Sequence, residues 1–260
     1  MENMIVLKSP RELARMRLAG RIVVEVLATL SERVRPGVTT SELNALAEEI
    51  IAKRGGIPSF KGYPNMRKGW RPFPASICTS INEELVHGIP GHRILREGDI
   101  LSIDVGVIYK GYHGDAAITL GVGKISPEAE RLLAVTKEAL WEGIAASRPG
   151  SYTSHISMAI ERCARRAGYN VVEDYTGHGI GRKMHEDPQI LNVFKPDHPR
   201  YPLKPGMTFA LEPMVTIGDW RTQVLDDEWT VVTIDGKLCA HFEHTVAVTE
   251  GEPEILTKAE

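Results

Sequence analysis

GDILSIDVGVIYKGYHGD, residues 98–115, is the stretch on which the fold turns. Residues 100–108 alternate as a strand does. Leu101, Ile103, Val105 and Val107 make one face apolar, while Ser102, Asp104 and Gly106 point the other way. Tyr109-Lys110-Gly111 reads as a tight turn, and a second strand runs on through Thr119. A two-residue turn centred on 109–110 or on 110–111 puts Asp104 and Asp115 on the same face, provided that no bulge intervenes. Two carboxylates on one small-residue face repel each other, a cost that a cation between them removes. The stretch alone leaves a pair of solvated surface aspartates equally open.

The rest of the chain decides between these readings. Its 260 residues fit one large domain or two small ones, with a full core. A net charge of −3 argues against a dedicated nucleic-acid site. No apolar run approaches the roughly 20 residues of a membrane span. Met1-Glu2-Asn3-Met4 lacks the shape of a secretory leader. Three separated cysteines suit reduced thiols, so a cytoplasmic protein is expected.

The pattern of the chain is duplicated. Ser9-Pro10 starts a helix over 10–34, with Leu13, Met16, Ile22, Val23, Val26, Leu27 and Leu30 at helical spacing. Arg35-Pro36-Gly37 breaks it, Ser41 caps a second helix, and Gly55-Gly56 ends that one. Residues 57–75 form a long surface loop, and 76–81 a short strand. Ser126-Pro127 then starts another helix, through Ser147, and a fourth ends at Gly168. Arg148-Pro149-Gly150 echoes Arg35-Pro36-Gly37, and His185-Glu186-Asp187-Pro188 echoes His87-Gly88-Ile89-Pro90. Gly206…Glu212 echoes Gly98…Asp104, each interval ending an alternating strand in a carboxylate. Similar features in one order point to two α+β halves, roughly 9–120 and 126–250, within one catalytic domain over 1–260. Packed about a pseudo-two-fold axis, they bring their carboxylates into a central cleft.

Further candidate ligands lie in the second half. Gly177-His178-Gly179-Ile180-Gly181 sets a histidine among glycines, which let the backbone approach a ligand closely. Thr208, Ala210 and Glu212 share a strand face that Pro213 ends. Asp235-Gly236 signals a hairpin, and the strand after it puts Cys239, His241, Glu243 and Thr245 on one side. Asp104, Asp115, His178, Glu212 and Glu243 are four hard carboxylates and one imidazole. Mostly oxygen donors suit two divalent ions of the manganese, iron, cobalt or zinc kind, and a metal-assisted hydrolase.

On these motifs the sequence resembles the type I methionine aminopeptidases. The matching residues are Ser80-Ile81-Asn82-Glu83, His87-Gly88-Ile89-Pro90, Asp104-Val105-Gly106, His113-Gly114-Asp115, Gly177-His178-Gly179, His185-Glu186…Pro188, Leu211-Glu212-Pro213 and Phe242-Glu243-His244-Thr245. The resemblance implies the α+β "pita-bread" fold, with two pseudo-symmetric halves, a central antiparallel sheet and outer helices. It implies removal of N-terminal methionine from nascent proteins whose second residue is small. By the same resemblance, Asp115 and Glu243 bridge two metal ions (Co, Mn, Fe or Zn), Asp104 completes one site, and His178 and Glu212 complete the other. Glu212 is the general base for a metal-bound water, His185 contacts the scissile carbonyl, and His87 assists at the scissile amide. Cys78, Met184 and Trp229, with His87 and His185, are implied to contact substrate; a hairpin core aromatic is the other reading of Trp229. The partners implied are nascent polypeptide N-termini at the ribosome, for a monomer with no membrane attachment. A prolidase-like or aminopeptidase P-like Xaa-Pro hydrolase on the same fold is the alternative.

Two departures from the family pattern stand out. Asn65–Phe73 reads as an insertion in the loop beside the methionine pocket, which leaves the assignment of Phe60, Tyr63 and Phe73 to pocket aromatics open. Met184 stands where many bacterial members carry phenylalanine.

Overall fold

Every apolar stripe read above is buried against a neighbouring layer in the computed structural model, which describes residues 5–258. The Met1–Met4 stretch, read above for the absence of a leader, lies outside the described residues. Among the described residues four helices, α1 (Pro10–Arg33), α2 (Thr40–Lys53), α3 (Pro127–Ala145) and α4 (Thr153–Arg166), flank antiparallel strands. Local chemistry sets the helix starts. Ser9 donates its N–H (2.8 Å) and its hydroxyl (2.7 Å) to the Glu12 carboxylate, and Pro10 follows with its backbone angle preset for a helix.

The cap of α2 differs from the sequence reading. Thr39, not Ser41, is the N-cap, because Glu42 lies three residues on. The Glu42 N–H donates to Thr39 Oγ1 at 3.3 Å, and Thr39 N–H donates back to Glu42 Oε2 at 2.7 Å.

Ile100–Tyr109 and Tyr112–Gly121 form one long hairpin with no bulge. Asp104 faces Ala117 and Gly106 faces Asp115, which is the 110–111 turn, so both aspartates lie on one face. Asp104 sits mid-strand, where the echo had placed it at a strand end. Cys78–Ile81 pairs with the same strand, setting Cys78 opposite Asp104. The apolar face of the hairpin meets α1 and α2 in one core, while α3 and α4 cover a second core over Thr208–Leu211 and His244–Ala247. Helix α1 crosses the hairpin at a glycine pair. A Cβ on Gly114 would lie 2.7 Å from the Gly20 nitrogen, so no side chain fits there.

The two halves meet through the second hairpin strand. Thr119 Oγ1 donates to His241 O at 2.7 Å, and Glu243 N–H donates to Ala117 O at 2.8 Å. Thr245 Oγ1 donates to Asp115 O at 2.8 Å and accepts from Asp115 N–H at 3.0 Å. This antiparallel crossing carries Glu243 to Asp115.

The single strand expected after Asp235-Gly236 is two strands. Cys239–His241 pairs with Met214–Thr216, the chain leaves the ladder at Phe242 and Glu243, and His244–Ala247 joins Thr208–Leu211 in another sheet. Asp235-Gly236 therefore turns the chain between sheets. Val231–Thr233 pairs with Thr222–Val224 and with Glu84–Val86, and not with Cys239–His241.

Candidate metal centre and cleft

A cleft of about 430 Å³ opens where the halves meet. Its wall includes Asp104, Asp115, His178, Glu212 and Glu243, together with Cys78, His87, Met184, His185 and Trp229. Each ligand candidate arrives on a different local device. Asp104 and Asp115 come from the hairpin, and His178 from the short strand Gly177–Gly179. Glu212 follows Thr208–Leu211 at the break imposed by Pro213, and Glu243 sits in the sheet-to-sheet crossing. One ligand atom each from Asp115, His178 and Glu243 lies within 4.8 Å of the others. Asp104 and Glu212 stand outside that tight triplet, on the same cleft wall. His178 Nε2 is 3.4 Å from Glu212 Oε1.

Asp115, His178 and Glu243 are buried, Asp115 and Glu243 each 2 % exposed, while Asp104 and Glu212 are half-buried on the cleft wall. Burial raises the proton affinity of all four carboxylates well above the ordinary range, Asp104 to about 7. Their mutual repulsion adds to the rise for Asp115, Glu212 and Glu243. Asp104 Oδ1, Asp115 Oδ1 and Glu243 Oε1 have no hydrogen-bond partner. Buried oxygens without partners cost free energy unless something binds them, and a hard divalent cation matches this donor set. The residues therefore fit a metal centre.

The imidazoles are prepared for the same purpose. His178 Nδ1 lies 2.9 Å from Gly179 O; only a protonated nitrogen can donate there, which leaves Nε2 a free lone pair toward the carboxylates. Burial pulls the pKa of His178 down to about 3 and that of His87 down to about 4, so both are neutral at pH 7. His87 holds a left-handed backbone angle (φ 61°) and meets Tyr175 and Trp229 edge-on, with ring centroids 5.8 and 6.1 Å away. His185 hydrogen-bonds Tyr63 through Nδ1 at 2.5 Å and lies over His178 with ring centroids 4.2 Å apart.

The aromatics left open by the sequence now have places. Phe60, Tyr63 and Phe73 all line the cleft, and Phe73 meets Trp229 with centroids 5.2 Å apart. Trp229 occupies the turn between Thr222–Val224 and Val231–Thr233 and faces the cleft, half-buried, rather than a hairpin core.

His241 was not singled out from the sequence. Its Nε2 lies 3.9 Å from both Glu212 Oε2 and Glu243 Oε2, and neither ring nitrogen has a hydrogen-bond partner. The available signal was its place two residues before Glu243, on the same side.

Comparison with known proteins agrees with this geometry. The model of "Metallopeptidase family M24" matches residues 14–250. Methionine aminopeptidase 1 of Bacillus subtilis is 51 % identical over 256 residues, 98 % of this chain and 100 % of that protein. A methionine aminopeptidase of Aquifex aeolicus is 46 % identical over 256 residues, 98 % of this chain and 99 % of the relative. The crystal structure of a methionine aminopeptidase from Thermotoga maritima superposes with a TM-score of 0.93 at 43 % identity, covering 98 % of this chain and 100 % of that one. Prolidase from Pyrococcus furiosus shares the fold, with a TM-score of 0.78 at 22 % identity, over 98 % of this chain and 66 % of its own.

Proposed function

The chain belongs to metallopeptidase family M24, and from that premise we propose that it is a metal-dependent aminopeptidase that removes N-terminal methionine from polypeptides whose second residue is small. The fold is the pita-bread α+β fold of these enzymes. The observation that carries the reading is the buried Asp115–His178–Glu243 triplet at the base of the cleft, with its unpartnered oxygens. Likeness to prolidase reaches the fold alone.

In this reading Asp104, Asp115, His178, Glu212 and Glu243 hold two divalent ions of the Co, Mn, Fe or Zn kind. Such ions lower the pKa of a coordinated water and polarise a carbonyl. Glu212, at the rim of the carboxylate group beside His178, takes the proton from the attacking water. His185 donates to the oxygen that becomes negative as the scissile carbonyl turns tetrahedral. Its Nδ1 is engaged by Tyr63, which leaves Nε2 for that contact. His87, half-buried and neutral, hydrogen-bonds the scissile amide. Cys78, Met184, Phe73 and Trp229 wall the space for the methionine side chain. The reading extends to a cytoplasmic monomer acting on nascent N-termini at the ribosome. No described helix is long and apolar enough to cross a membrane.

The test is turnover of Met-Ala and Met-Gly peptides against Met-Leu and Met-Arg peptides by protein reconstituted with Mn, Fe or Co. Chelation abolishes cleavage, metal restores it, and the small second residues are strongly preferred. Full turnover by protein shown metal-free by elemental analysis, or equal specificity constants for Met-Gly and Met-Arg, overturns the reading.

A further inference from the structure

The loop over residues 65–73, which reads as an insertion, is pinned at its base and exposed at its tip, where Met66 is 94 % exposed. Phe73 N–H donates to Tyr63 O at 2.9 Å, and Gly62 N–H donates to Phe73 O at 2.8 Å. Three further bonds tie the loop to the turn before Val231–Thr233. Asn65 Nδ2 donates to Glu228 O (2.9 Å), Arg71 N–H to Glu228 Oε2 (2.8 Å), and Trp229 Nε1 to Arg71 O (2.8 Å). Glu228 also pairs with the Arg71 side chain at 3.3 Å, so that charge is already answered.

The tip is ordered differently. Trp70 N–H donates to Arg67 O at 3.1 Å, closing a turn. The Arg67 guanidinium then lies 4.4 Å over the Trp70 ring, a contact that holds a long side chain in place. Arg67 has no carboxylate partner among the described residues. Both Arg67 and Trp70 line the mouth of the cleft that holds the candidate metal centre. Arg67 also acts on Tyr175: burial raises the Tyr175 phenol, the neighbouring Asp174 adds to that rise, and the Arg67 charge opposes it. Tyr175 is the ring packed edge-on to His87. Asp174 accepts a hydrogen bond from Thr222 Oγ1 at 3.4 Å.

We propose that this loop builds a substrate subsite in which Arg67, supported on Trp70, receives an acidic side chain from the third or fourth residue of the polypeptide being processed. The proposal rests on the reading of the site as an aminopeptidase. With the scissile bond at His87, a chain leaving in extended form advances about 3.3 Å per residue. In this proposal it passes Tyr175, the ring that neighbours both His87 and the Arg67 charge, and meets the loop tip two or three residues beyond the bond. Alternating side chains then bring one toward Arg67, which has no ion-pair partner among the described residues, although Asp174 lines the same cleft.

The experiment uses two peptide series, Met-Ala-Xaa-Ser and Met-Ala-Ser-Xaa, with Xaa as Asp, Gln or Lys. Specificity constants are measured for the wild-type, Arg67→Ala and Arg67→Glu proteins. A solvent-exposed pair predicts an Asp-over-Lys preference of about two- to five-fold in one series, carried by KM. Arg67→Ala levels it, Arg67→Glu inverts it, and added salt shrinks it in the wild type. The same peptides carrying a C-terminal fluorophore are also titrated by anisotropy against metal-free protein. If no peptide is cleaved, the aminopeptidase reading fails, and the binding order still decides the subsite. Equal Asp and Lys constants in the wild type, or a preference that Arg67→Glu leaves in place, overturns the proposal.

Discussion

Lys8 and Glu186 form an ion pair between the start of the described chain and the first residue of the strand Glu186–Ile190, directly after Met184 and His185. Lys8 Nζ lies 2.5 Å from Glu186 Oε2, with the side chains 3 % and 14 % exposed. The Lys8 N–H donates to Gly206 O at 2.7 Å, and the other Glu186 oxygen accepts from Lys183 N–H at 3.1 Å. A Cβ on Gly181 would lie 2.4 Å from Lys8 Cε, so that glycine makes room for the ammonium's stem. Lys8→Met leaves the Glu186 carboxylate facing an apolar neighbour. Removing one partner of a buried pair costs about 3–5 kcal/mol. Glu186 keeps some solvent contact, so the low end, about 3 kcal/mol, is expected. At about 2–4 °C per kcal/mol, the melting temperature falls by about 6–12 °C. Lys8→Met with Glu186→Gln removes both charges and keeps the Lys183 bond, so the double variant regains most of the loss. The assay is urea unfolding of all four proteins in a double-mutant cycle, with the denaturant slope checked for constancy. A Lys8→Met cost under about 1 kcal/mol, the value of an exposed pair, or additive single effects, refutes the reasoning.

Two further outcomes are expected. Ser9 N–H, with Tyr112 and the Ser9 hydroxyl, holds the Glu12 carboxyl down from 4.5 to about 2. A depressed carboxylate stabilises above its ordinary pKa and loses that contribution as pH falls through its folded value. Melting temperature therefore declines between about pH 5 and pH 2 in part through Glu12, and Glu12→Gln flattens that slope; an unaltered slope counts against the cap. Met184 is buried beside His185 on the cleft wall and packs with Met16, Tyr112 and Ile180. Met184→Phe offers the substrate sulfur an aromatic contact and raises discrimination for methionine over norleucine by about two- to ten-fold; an unchanged ratio of specificity constants removes Met184 from the pocket.

What was legible in the sequence was what depends on local periodicity. Strand parity put Asp104 and Asp115 on one face, because a two-residue turn fixes register and register fixes faces. The start of α1 at Ser9-Pro10 was equally local. Thr39 and Ser41 are both good caps by residue type, and Glu42 at the third helical position decided for Thr39. What escaped depends on partners distant in the chain. Cys239 through Thr245 alternates as one strand would, since both pieces are buried. Only the competition between Met214–Thr216 and Thr208–Leu211 for hydrogen bonds splits it at Phe242 and Glu243. That split gives Glu243 its backbone bonds to Ala117 and sets it beside Asp115. The pairing of Thr119 with the His241 backbone, and of Lys8 with Glu186, follows from that crossing and the docking of the N-terminal segment. No spacing rule encodes either. The ligand residue types could thus be read from motifs, while the distances that make them a metal centre are set by tertiary pairing.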